Sequence, residues 1–127
     1  MNNEKVVPKN STKQIVMPIE ISKKYIEYCH ITRLRFSDSL RVMVMESIPR
    51  LHDSDELEQI INKTRQRNLY AENSEEYAEH YIRLPREVIE EVNMYCAFFK
   101  IKRKRCHFLY FLIEKKLLSA IEEILYE

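Results

Sequence analysis

The chain has no glycine, and that absence removes whole classes of site. Walker and Rossmann phosphate loops need glycine where the backbone closes on a pyrophosphate, so neither is present. Two-residue hairpins of the Asn-Gly type are excluded as well, so any strands should pair with segments distant in sequence. Three cysteines, an odd number, fit free thiols in a reducing compartment better than a disulfide framework. No apolar stretch approaches the roughly 18 residues of a membrane span, and Met1 to Lys13 carries no apolar secretion signal. The expected location is the cytoplasm, with no membrane contact.

Catalytic signals are also missing. His30, His52, His80 and His107 have no serine or cysteine arranged beside them for nucleophilic work. Cys29-His30 and Cys106-His107 are neighbours, and neighbouring residues on a helix point to different sides, so neither pair suggests a metal site. The paired acids Glu75-Glu76, Glu90-Glu91 and Glu122-Glu123 fall on polar faces. The reading is a non-enzyme without metal or cofactor.

What the 127 residues do contain is one pattern written twice. Ile15-Val16-Met17-Pro18-Ile19-Glu20-Ile21 and Ala78-Glu79-His80-Tyr81-Ile82-Arg83-Leu84-Pro85 both alternate and run straight into an amphipathic helix; a second helix follows each. A lone strand of this length leaves backbone groups and an apolar face without partners, and two copies in one chain can supply each other. The fold class expected is mainly α with a two-stranded antiparallel ribbon, strand 15–21 against strand 79–84.

Four segments follow. Residues 1–13, with Lys5, Lys9 and Lys13, read as a flexible basic arm or an ordinary frayed terminus. Residues 14–50 hold the first strand and two helices, the first capped by Ser22 and the second by Ser37, ending at Pro49. Residues 51–77 are a connector, with Asp53 and Glu56 spaced as a capping box, a helix from about Ser54 to Tyr70, and an irregular acidic stretch. Residues 78–127 hold the second copy, with Pro85 at the first helical position and a last helix from about Arg103 to Tyr126. The apolar arc of that helix is too wide for one contact, so the connector helix or another subunit should cover it.

Net charge is only +1, but residues 100–105 read Lys-Ile-Lys-Arg-Lys-Arg. Cations at a helix N-terminus oppose its dipole by about 0.3–1 kcal/mol each, and a bound phosphate would reverse that penalty. The alternative is a solvated charged loop.

Arg83-Leu84-Pro85-Arg86-Glu87-Val88-Ile89, with Phe36-Ser37-Asp38-Ser39 and Val44-Met45-Glu46-Ser47 in the first copy, resembles the ribbon-helix-helix DNA-binding proteins of the Arc and MetJ class. The likeness covers roughly 14–50 and 78–120, and the tandem form is similar to transcription regulators of archaeal viruses, which would place it in the host cytoplasm. The resemblance implies a single-chain pseudo-dimer binding double-stranded DNA, a transcription repressor whose ribbon enters the major groove and which need not read a palindrome. It implies base contacts by Val16, Pro18, Glu20, Glu79, Tyr81 and Arg83, and phosphate contacts by Ser37, Ser39, Lys100, Lys102, Arg103, Lys104 and Arg105. The rival reading is the same fold without DNA binding, a protein-interaction module that oligomerises or holds a partner through the last helix.

Overall fold

Two nine-residue strands, β1 (Asn10–Pro18) and β2 (Tyr77–Pro85), pair antiparallel as the whole of one sheet. This is a computed structural model, and it describes residues 10–52, 54–71 and 76–125. The pairing of two distant segments is as expected, but β1 starts earlier than residue 15 and ends at Pro18 rather than at 21. Residues 10–13, read as part of a flexible arm, are strand. The rest of that arm, residues 1–9, lies outside the described residues, as do Asp53 of the expected capping box, residues 72–75 of the acidic stretch, and Tyr126.

Helix α1 (Ile19–Thr32) begins directly after Pro18, and α4 (Arg86–Phe98) directly after Pro85. Each proline is the last residue of its strand and the N-cap of the helix that follows, with extended ψ, 142° and 150°. A proline suits this junction because its missing N–H is not needed at the last ladder position or before the first turn. Glu20 and Glu87 then fall in the first turns of their helices, where a carboxylate complements the dipole. Ser22 is not a cap. It sits inside α1, buried, with its hydroxyl 2.7 Å from His80 Nε2 on β2.

The two copies correspond at a constant spacing of 67 residues (10 to 77, 18 to 85, 20 to 87). The same spacing relates the helix ends. The Leu34 N–H reaches back to the Cys29 carbonyl at 2.9 Å, and the Ile101 N–H to the Cys96 carbonyl at 2.8 Å. Between them Arg33 and Lys100 both take left-handed backbone, φ 60° each. Glycine usually fills this position; a chain without it accepts a strained Arg and Lys.

Helix α2 (Phe36–Ser47) is preceded by Arg35 as N-cap, and a 3-10 turn (Ile48–His52) carries the chain over Pro49 into α3 (Ser54–Gln66). Helix α5 (Arg105–Leu125) follows a 3-10 turn at Lys102–Lys104. The second helix of each copy packs on the strand of the other, α2 on β2 and α5 on β1. Helix α5 is the centre of the core: Phe108, Leu109, Tyr110, Phe111, Leu112 and Ile113 are all buried, enclosed by β1, α1, α2 and α3. The wide apolar arc is thus covered within the chain over these residues, while Leu118 further along the helix is 41% exposed. On β2 the inner residues Ile82 and Leu84 are buried while Glu79, Tyr81 and Arg83 are exposed, the alternation expected.

Relieving the left-handed strain should be measurable. Arg33→Gly is expected to raise stability by about 1 kcal/mol in chemical denaturation, the steric cost of a Cβ in that conformation; a loss of stability would mean that Arg33 makes a compensating contact.

Candidate nucleic-acid interface

The register builds the exposed face of the ribbon. Gln14 lies opposite Tyr81, the residue 67 positions further on, so the pairing is centred on a position and its own counterpart. Directly opposed residues share a face. One face therefore carries Thr12 with Arg83, Gln14 with Tyr81, and Val16 with Glu79. The other carries Lys13 with Ile82 and Ile15 with His80, turned toward the helices. His80 is held there by Ser22 and by the Phe36 ring, 4.5 Å from its own. Burial holds its imidazole below the usual 6.5.

This geometry corrects the base-contact set. Glu20 is on α1, not on the ribbon. Pro18 is on the strand but ends it as a cap. Val16 does lie in the outward row, yet it is 0% exposed and can touch no ligand. Glu79, Tyr81 and Arg83 are exposed there, Tyr81 by 58%. Thr12 and Gln14 complete the row, and a first strand begun at Ile15 leaves them out. Aligning Pro18 with Pro85 would have found them. Among the described residues no side-chain hydrogen bond or ion pair engages Thr12, Gln14, Tyr81 or Arg83.

The phosphate candidates divide. Ser37 is exposed in the first turn of α2 and lines an open cleft with Thr12, Asp38, Arg41, Tyr81 and Arg83. The Nε of Arg41 in that cleft is shielded from water and has no hydrogen-bond partner. Ser39 is spent internally. Its hydroxyl donates to the Phe36 carbonyl at 2.8 Å and accepts from Tyr25, whose phenol burial pushes up to about 12. Lys100, Lys102 and Arg103 are exposed around a basic hollow completed by Arg65, which sequence reasoning passed over. Arg65 itself donates to the Phe99 carbonyl and lies over that ring. Arg105 donates to Asn93 Oδ1 at 3.0 Å.

Lys104 is engaged within the chain. Its ammonium donates to the carbonyls of Thr64, Arg65 and Arg67, at 3.0, 3.3 and 2.9 Å. The first two are orphan acceptors in the last turn of α3, where a cation also meets the negative end of the dipole, and the third lies just past the helix. Its apparent membership of the basic run hid a structural role. Among the described residues no three His, Cys, Asp or Glu side chains come together as a metal site.

No family model, curated protein or solved structure matches this chain. The functional reading therefore rests on the ribbon face, its flanking cleft and the basic hollow.

Two measurements probe these placements. Lys104→Ala is expected to cost about 1–3 kcal/mol of stability in urea titration, the loss of charge-assisted bonds to three carbonyls. With the His80 imidazole depressed below 6.5, the unfolded chain binds a proton first as pH falls. Stability from this group is complete above that value and declines as pH drops from 6.5 toward the folded value. His80→Phe should flatten this decline; an unchanged pH profile would assign it to other groups.

Proposed function

We propose that the protein is a sequence-specific double-stranded DNA-binding regulator of transcription, a single-chain ribbon-helix-helix pseudo-dimer that represses by occupying its site. The observation that carries this reading is the outward row of the ribbon. Antiparallel strands centred on Gln14 and Tyr81 present polar side chains with no internal partners. A two-stranded ribbon fits the width of the major groove, and the residue types match base edges. Arg83 can bond guanine O6 and N7 together, Gln14 can bond adenine N6 and N7, and the Thr12 methyl can meet a thymine methyl. Tyr81 offers one hydrogen bond, and Glu79 can accept from cytosine N4. Phosphate contacts fall to Ser37, Arg41, Lys100, Lys102 and Arg103.

A second reading, a protein-interaction module, has one observation in its favour, and it is not the last helix, whose apolar face is buried apart from Leu118. Phe98 is 76% exposed at the end of α4, beside Met94 and Phe99 on an apolar hollow. Such a patch suits a partner protein.

Selection of bound duplexes from a random pool separates the two. A DNA binder should yield an enriched motif with a steep fall of affinity as salt rises. On that motif Arg83→Ala should cost about 1–3 kcal/mol and relax one base position, and Gln14→Ala another, while Lys102→Ala weakens all sequences alike. No enrichment at low salt would leave the interaction module standing.

A further inference from the structure

We propose that the chain carries a site for a small organic anion, a carboxylate bearing one ring or a short branched chain, in the cavity between α3 and α5. The site stands independently of the DNA reading. The cavity encloses about 110 Å³ and is built by the end of α2 at Ser47, the 3-10 turn at Arg50, and one face each of α3 and α5. Neither strand contributes to its lining, so it is separate from the ribbon row and from the basic hollow.

The lining is divided in character. Ile60, Phe111 and Leu112 supply an apolar wall, each no more than 5% exposed. Around it stand the cations Arg50, Lys63, Lys115 and Lys116, against one carboxylate, Glu56. Two of these cations are anchored by glutamates that do not line the cavity: Lys63 by Glu114 at 2.9 Å and Lys116 by Glu46 at 3.7 Å. Among the described residues no hydrogen bond or ion pair engages Arg50 or Lys115.

The cations thus outnumber the one carboxylate that faces them, and like charges beside an apolar wall repel one another more than they would in open water. A bound anion reverses that repulsion. The Ser47 hydroxyl is already donated to the Met43 carbonyl at 2.7 Å, so charge rather than hydroxyl bonding must hold the guest. Arg50 can offer its planar fork to both oxygens of a carboxylate. An inorganic anion would leave the Ile60, Phe111 and Leu112 wall unused. Size sets the other limit. A dry apolar cavity of about 150 Å³ holds benzene, so a ring-sized guest fits here and a nucleotide does not. Because α2 packs on β2 and α5 on β1, the occupant would join the elements that hold both strands.

Titration of the full chain with benzoate and with isovalerate tests this, read by thermal unfolding and by methyl NMR spectra. At least one of the two should raise Tm saturably and shift the Ile60 and Leu112 methyl signals, leaving that of Thr12 in place. Benzyl alcohol, a neutral analogue, and sulfate at matched ionic strength should each bind about tenfold more weakly, the worth of one charge-assisted hydrogen bond. Arg50→Gln and Lys115→Gln, both at exposed positions, should weaken the carboxylate by a similar factor, and Glu56→Gln should tighten it. Failure of both carboxylates to bind saturably, binding of benzyl alcohol or of sulfate as tight as theirs, or an affinity indifferent to both Arg50→Gln and Lys115→Gln would overturn the site. None of these outcomes bears on the selection of duplexes.

Discussion

Everything in this molecule depends on the antiparallel pairing of two β segments far apart in the chain. A two-stranded ribbon has little stability in water, since each strand keeps one unpaired edge. Here the cost is offset by cross-packing, α2 against β2 and α5 against β1, so that neither copy can bury its own strand without the other. The inner row of Ile82, Leu84, Ile15 and Met17 is the hydrophobic seam that results. Because that seam requires register, it also sets which side chains face outward. The candidate interface is a by-product of the core.

The connector does two structural tasks with one set of groups. Helix α3 covers the last helix, with Lys63 and Arg67 reaching Glu114 at 2.9 and 3.8 Å. The end of α3 and the chain that leaves it are then fastened by Lys104, at the Thr64 carbonyl, and by His107, at the Leu69 N–H. Both residues lie where the first copy has Ser37 and Leu40. Positions 67 residues apart thus serve different ends, an open cleft at α2 and a contact with the connector at α5.

Much of this was legible in the sequence, and the failures are instructive. Alternation identified both strands and sorted Glu79, Tyr81 and Arg83 from His80, Ile82 and Leu84 correctly, because period 2 is a strong signal where one face is buried. The same signal could not fix where the first strand ends. A slip of an even number of residues leaves every side chain on its proper face, so placing the strand at 15–21 looked as consistent as 10–18. Met17-Pro18-Ile19-Glu20 beside Leu84-Pro85-Arg86-Glu87 would have settled it, since the prolines and the first-turn acids coincide. The role of Lys104 was out of reach. Nothing local distinguishes a cation that caps a distant helix from its neighbours in a basic run.

Covalent joining of the two strands changes how the ribbon responds to dilution. A ribbon made by two separate chains dissolves as the monomers part, and the population of assembled surface then follows the square of their amount. Here assembly is a folding event within one polypeptide, indifferent to how many copies a compartment holds. A ligand of that surface would be titrated in simple proportion to chain number, down to a few molecules, with no threshold.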